Sequence, residues 1–336
     1  MKPYLVDVPV AIQAFVRPEM LKKQWAVIKE ARPSILFIRS DGPRETVPTD
    51  AELIRQSRAV TEDIDWECTV YRLFDEKNVG MYGMSDKYTP FIWSKVDRCI
   101  FLEDDQVPAV SFFRFCAELL EKYKDDQRIT KITGVNLCEK WEDTPDDYFF
   151  ARVPASSGVA IWRRTYESRD ADLSFAKNPY VMNHVRCDLP WYLRKQFISF
   201  AEKGTYANHG PGSEFYTRHA EYLQHRLVIV PKYNMIANNG VGVGSTHTGK
   251  SMRSMPKQLQ KQYGMVTYEY EFPLKHPKFI FPDTKFEKER EKQLGVASRW
   301  QSFCRSVERT ARLVLTGESK KLFAGIRKRI KNTIER

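Results

Sequence analysis

The chain lacks paired cysteines, long apolar runs and internal repeats, and each absence narrows what it can be. Its six cysteines (Cys68, Cys99, Cys116, Cys138, Cys187, Cys304) share no C-x-x-C or other metal-ligand spacing. That argues against a zinc site and a disulfide framework, and fits a reducing compartment. Apolar runs such as residues 99–102 fall far short of the roughly 20 residues that cross a bilayer. No basic flank followed by an apolar stretch stands near the amino terminus, so no targeting segment is expected and the chain reads as soluble and cytoplasmic. There is no low-complexity tract.

What is present is material for a core. Hydrophobic residues make up 42% of 336 positions and aromatics 13%, enough for one large α/β domain, or for one of roughly 250 residues with an appendage. The net charge of +11 is unevenly placed: residues 299–336 hold eleven Lys/Arg against three Glu, a net +8, which leaves about +3 for the rest.

Residues 9–17 read as an apolar strand, with Pro18 at a first helical position where its missing N–H does no harm. Met20, Leu21, Trp25, Val27 and Ile28 then recur at near-helical spacing up to Ala31. Residues 35–38 form a second strand that ends at Ser40-Asp41-Gly42-Pro43. Residues 51–61 read as a helix, 67–74 as a third strand, and 82–95 as a helix interrupted at Pro90. Residues 99–102 are a buried strand in type, stopping at Glu103, Asp104 and Asp105. A helix is expected from Pro108, with Phe112, Phe113, Phe115, Leu119 and Leu120 on one face. Beyond Ile129 the pattern weakens. Residues 131–137 suggest a strand, 139–147 an acidic loop, 156–162 a glycine-containing loop, 227–231 a last strand, and 238–249 a glycine-rich loop that carries His247.

This alternation predicts an α/β fold, a Rossmann-like, mostly parallel sheet with flanking helices. Ligands in such sheets bind beyond the carboxyl ends of the strands. Arg17, Asp41 and the acids 103–105 all fall at those ends and should converge on one crevice.

Three adjacent acids in a site shielded from water repel one another unless something positive offsets them. A hard divalent cation with oxygen ligands, Mn2+ or Mg2+ bridging to phosphates, is the natural occupant. The bland reading is an acidic N-cap cluster for the helix after Pro108. His247 is a candidate second metal ligand on a loop able to fold over a diphosphate, or an ordinary surface histidine. Arg17 and Asp41 have bland readings as a helix-start cation and a turn aspartate, and His184, His209, His219 and His225 read as structural. Gly158 and Trp162 either shape a sugar or acceptor pocket or belong to the core.

The ordered stretches AFVRP, SDGPR, EKNVG, FLEDD, SGVAIWRR and VPKYNMIANNGVGVGSTHT resemble bacterial nucleotide-sugar glycosyltransferases of the GT-A fold and, more distantly, N-acetylglucosaminyltransferase I. The resemblance covers about residues 8–250. It implies that Arg17 and Asp41 hold uracil and nearby phosphate or ribose groups, that Glu103 and Asp104 contact donor sugar and ribose, and that Asp105 coordinates the metal. Lys77, Asn78 and Gly80 match a stretch that lines the nucleotide pocket. It also implies a general base on a helix start about 17 residues before Pro231. That places it at Glu214, although the resembling enzymes mostly show Trp-Asp where this chain has Ser213-Glu214. Asp188 is the reserve candidate.

The implied activity is a metal-dependent, inverting transfer from a UDP-sugar to a hydroxyl of a glycan or lipid-linked acceptor, as in bacterial surface polysaccharide synthesis. A sugar nucleotidyltransferase shares the architecture, but the chain has no glycine-rich start followed by Arg and Lys to grip a triphosphate. A non-catalytic sugar-nucleotide or glycan-binding protein is the other alternative. The expected organisation is a catalytic domain at 1–285 and a basic amphipathic helical extension at 286–336. That extension suits either an anionic membrane surface, making the protein peripheral on its inner face, or packing against the enzyme. No nucleic-acid reader motif is found.

Overall fold

The computed structural model describes residues 1–152, 157–203, 213–240 and 252–318, with backbone alone at Lys203, Ser213 and Glu214. Strands β1 (Val6–Gln13), β2 (Pro33–Ser40), β3 (Thr69–Phe74) and β4 (Arg98–Leu102) are linked by helices α1 (Pro18–Ala31), α2 (Asp50–Val60) and α3 (Gly80–Lys95). A short β5 (Gln106–Pro108), α4 (Ser111–Lys122), β6 (Ile129–Thr133), β7 (Tyr148–Ala151), β8 (Val159–Trp162) and α5 (Arg163–Glu167) follow. Three helices, α6 (Pro179–Asp188), α7 (Trp191–Lys203) and α8 (Ser213–Leu223), precede β9 (Leu227–Pro231) and β10 (Ile236–Asn238). The described chain closes with α9 (Lys257–Gln260), α10 (Thr284–Gln293) and α11 (Arg299–Leu315).

The main sheet has eight strands in the order β3-β2-β1-β4-β8-β6-β9-β7. Strands β3, β2, β1 and β4 are mutually parallel, β6 and β9 share their direction, and β8 and β7 run against it. The fold is thus a mixed α/β architecture with a mostly parallel central sheet flanked by helices. β1 shows why it is covered on both sides. Val8, Val10 and Ile12 enter a core with Leu21, Trp25 and Ile28 of α1 and the phenylalanines of α4, while Ala11 points the other way, against Phe37, Cys99 and the α3 residues Ile92 and Trp93. Strands buried on two faces read as continuous apolar runs, as β1 and β4 do.

Several expectations are corrected. Pro90 does not interrupt α3, which runs unbroken to Lys95; the proline is exposed, so the backbone carbonyl that it leaves unpaired can turn to water. Pro108 does not start a helix. It ends β5, which pairs antiparallel with β10 (Gln106 opposite Asn238, Val107 opposite Ala237, Pro108 opposite Ile236), and α4 begins at Ser111. The strand expected at 131–137 is β6, which stops at Thr133. There Gly134 turns away, its N–H donating to Gly158 O at 2.9 Å. Trp162 belongs to the core, buried with its indole N–H on Leu120 O at 3.0 Å. Helices α6–α8 gather around a separate apolar cluster of Leu173, Phe175, Met182, Val185, Leu189, Phe197, Phe200 and Ala201.

Candidate active site

The order of the parallel strands reverses between β1 and β4: β2 and β3 lie on one side of β1, and the chain then crosses back to place β4 on the other. Open α/β sheets bind ligands beyond the carboxyl ends of the strands at such a reversal. Arg17 follows β1 there and Glu103-Asp104-Asp105 follow β4.

The acids lie on a tight turn in which Gln106 N–H donates to Glu103 O at 3.1 Å. Gln106 also accepts Glu103 N–H on its side-chain oxygen at 3.2 Å. From α1, the fully buried Gln24 donates to Glu103 O and Gln106 O, both at 2.6 Å. These buried amides fix the turn with neutral donors and acceptors, without using the carboxylates. Sequence reasoning missed both glutamines; the one available signal was a polar Gln24 beside Trp25 on the apolar stripe of α1.

Arg17 spans the pair. Its Nη1 donates to Asp105 Oδ2 at 2.8 Å, and Nη2 lies 3.2 Å from Asp104 Oδ1. Asp104 and Asp105 are buried, whereas Glu103 is exposed. Burial pushes the Asp104 carboxyl up to about 7, with Arg17 pulling it down and Asp105 and Glu103 adding to the rise. Burial works to lower Arg17, but Asp104 and Asp105 outweigh it and raise its pKa. The positive partner that the acid run demands is therefore, in the first place, Arg17. Arg17 does not satisfy every oxygen of the buried pair: Asp105 Oδ1 has no hydrogen-bond partner among the described residues. An orphaned, inward-facing carboxylate oxygen beside a protonatable neighbour fits a hard divalent cation. Among the described residues no three His, Cys, Asp or Glu side chains converge as a complete ligand set.

The helix-cap reading of the acids fails on geometry. The first turn of α4 is served from far along the chain, where Glu269 accepts Val110 N–H at 2.9 Å and Ser111 N–H at 2.7 Å. Asp104 and Asp105 are separated from that helix by β5.

Past β10 the chain returns to the acids. Asn239 N–H donates to Asp105 O at 2.9 Å, and Asn238 Oδ1 accepts Gly240 N–H at 2.9 Å. The glycine-rich loop thus departs from the side of Asp105. His247, farther along that loop, lies outside the described residues. Tyr263, not foreseen, sits close enough that burial and the Asp105 charge both raise its pKa.

Asp41 follows β2 and is committed to a loop. Its Oδ1 accepts Gly42 N–H (2.8 Å) and Val79 N–H (2.9 Å), and Oδ2 accepts Asn78 Nδ2 (3.0 Å) and Gly80 N–H (2.9 Å). Four donors fill a carboxylate's usual capacity, so Asp41 holds residues 78–80 in place. Gly42 makes the fit possible, since a Cβ there would fall 2.4 Å from the backbone carbon of Lys77. The Lys77 and Asn78 residues themselves are exposed. Arg58 of α2 ties the same edge together, donating to Ser40 Oγ at 2.9 Å and Asp75 O at 2.8 Å.

The two base candidates differ in placement. Asp188, the last residue of α6, lies near enough to Tyr222 and Arg152 for its charge to act on both. Arg152 follows Ala151, which pairs with Val228, and the register runs on through Lys131 and Ile161 to Cys99. Arg152 is therefore near the level where β4 begins, and four strand spacings, roughly 19 Å, separate β7 from β4. The acid turn follows the other end of β4. Glu214 lies in the first turn of α8, two helical turns before Glu221, whose carboxylate pairs with the buried Lys131 at 2.8 Å. The remaining described histidine of note, His219, is sandwiched against Phe197 with both ring nitrogens on backbone carbonyls, a structural role.

No protein-family model and no curated protein matches the chain. Solved structures with a similar chain path include UDP-glucose pyrophosphorylase complexed with UDP-glucose, with 9% identity, 68% of this chain and 91% of that one covered, and a TM-score of 0.34. A UTP-bound UGPase from Acinetobacter baumannii gives 7%, 69% and 88%, and 0.30. Mouse xyloside xylosyltransferase 1 in its apo form gives 13%, 64% and 81%, and 0.30. Scores this low leave the function to be read from the chain's own geometry.

Proposed function

We propose that this chain is a metal-dependent, inverting glycosyltransferase that takes a UDP-sugar as donor and a hydroxyl of a glycan or lipid-linked saccharide as acceptor. One observation carries the reading: an acid turn at the strand-order reversal, pinned by Gln24 and Gln106, faces Arg17, and Asp105 Oδ1 is without a partner among the described residues. That turn is not needed to cap α4, because Glu269 already does so.

Asp105 would hold Mn2+ or Mg2+, with His247 as a second protein ligand. A cation bound there supplies charge that stabilises the departing diphosphate. Arg17, released in part from the acids, turns its guanidinium to the phosphates, for which its bidentate geometry suits it. Asp104 and Glu103 accept hydrogen bonds from ribose and donor sugar. Asp41 acts through residues 77–80, which line the nucleotide. Glu214 removes the acceptor proton during in-line attack on the anomeric carbon, one displacement with an oxocarbenium-like transition state. Glu214, in the first turn of α8, is preferred for that role over Asp188, which ends α6.

A sugar nucleotidyltransferase would need a grip on a triphosphate, and the link from β1 to α1 (Ala14-Phe15-Val16-Arg17) offers no glycine for a backbone cradle. Incubation with a panel of UDP-sugars and Mn2+ separates the readings. Release of UDP, abolished in Asp105→Asn and Glu214→Gln, supports transfer. Pyrophosphate released from UTP with a sugar phosphate replaces it with nucleotidyl transfer. Nucleotide-sugar binding without turnover of any donor supports a non-catalytic binder.

A further inference from the structure

Helix α11 is docked with its polarity inverted. The side chains turned toward the body of the protein are Ser302, Arg305, Glu308, Arg312, Leu313 and Thr316, all half-buried. The contacts are polar: Arg305 donates to Leu294 O at 2.6 Å, Glu308 accepts Lys257 N–H at 3.1 Å, and Arg312 donates to Arg253 O at 3.2 Å. At 100° per residue the apolar residues Trp300, Phe303, Val307, Val314 and Leu315 fall on the opposite arc. They are 69%, 58%, 51%, 55% and 84% exposed. A helix of a water-soluble domain ordinarily buries its apolar arc. This one is fixed by Ser298, whose Oγ caps Gln301 N–H at 3.1 Å, and by the left-handed Gly295 that ends α10, so its apolar arc is held outward.

We propose that this outward face of α11 docks on an anionic membrane surface. Charge complementarity selects that occupant. Residues 299–336 carry a net +8, of which residues 319–336, directly after α11 in the chain, supply +6, and polybasic segments are drawn to anionic headgroups. Trp300 and Phe303, stacked with ring centroids 5.6 Å apart, form an aromatic pair of the kind that settles at the headgroup boundary. A second copy of the chain would bring two such positive segments together, which repulsion disfavours. The inference does not rest on the proposed reaction, since its test reads binding alone.

The test is co-sedimentation of the full chain with vesicles of phosphatidylcholine alone and of phosphatidylcholine mixed with phosphatidylglycerol. Binding is expected only to the mixed vesicles, weakened by salt, and reduced about tenfold or more in Trp300→Ser/Phe303→Ser at unchanged Tm, since both side chains are exposed. Should that variant misfold, quenching by brominated lipid of fluorescence that disappears in Trp300→Tyr makes the same point. Absence of binding to mixed vesicles overturns the proposal, as does equal binding by a folded double variant. A concentration-dependent dimer that the double variant abolishes, without vesicle binding, also overturns it and assigns the face to a second copy.

Discussion

Gly240 lies so close to Asp105 that a Cβ on it would fall 1.9 Å from Asp105 Oδ2 and 2.8 Å from its Cγ. Glycine is needed here for the approach itself. Asp105 Oδ2 is the oxygen that Arg17 holds, so Gly240→Ala must push the carboxylate off its partner. The expected result is a loss of metal-dependent UDP affinity of about tenfold or more, roughly 1.4 kcal/mol, read by calorimetry. An alanine variant that binds as wild type would mean that Asp105 has room to move without consequence.

Glu269 makes a different contribution, because it serves α4 and not the crevice. Removing a cap from a helix start costs about 1 kcal/mol. Glu269→Ala should lower unfolding stability in urea by about that amount and leave UDP affinity unchanged. Unaltered stability would reopen the possibility that the acid run acts as the helix cap.

Asp104 gives a pH dependence with a definite sign. Its folded-state pKa, about 7, lies above the ordinary 3.8, so the native state takes up a proton that the unfolded state has released. Stability from that proton is fully present below about pH 4 and is lost as pH rises through about 7. Paired acids such as Asp50, held low by Arg44, contribute with the opposite sign. The difference between wild type and Asp104→Asn isolates the effect. Wild type should lose stability relative to the variant between about pH 4 and about pH 7; a difference that is flat with pH contradicts the burial of this carboxyl.

Much of this site could be read from the sequence, and what could not has physical causes. The first four strands and three helices carry regular periodicity and turn chemistry, so the parallel half of the sheet followed from the pattern alone. Proline misled twice. Pro90 lies on a solvent face where a lost hydrogen bond costs little, and Pro108 was claimed by a ladder to residues 236–238, a partner distant in sequence. Glu269 capping Ser111 spans 158 residues, and no local rule anticipates such a contact. Beyond Ile129 the strands are short and α6–α8 build their own small core, so no long period existed to be read. Asp41 was legible as a residue at the right place, but its commitment to the backbone of 78–80 depends on tertiary packing.

Gln24 tests the scaffold of the turn. Gln24→Leu preserves volume but strips the carbonyls of Glu103 and Gln106 of a buried donor. Leaving the buried Gln106 carbonyl unsatisfied should cost roughly 2 kcal/mol, and the loosened turn should weaken UDP binding as well. Lower stability with intact binding would show that the acids hold their geometry without the clamp.

The central claim is that Asp105 and its neighbours form a metal-assisted nucleotide site. Calorimetric titration with UDP, with and without Mn2+, on wild type and Asp105→Asn tests it most directly. The account predicts binding that requires Mn2+ and is lost in the variant. If wild type binds neither UDP nor GDP nor CMP with the metal present, the acid turn and Arg17 are a structural ion pair and the proposed function is wrong.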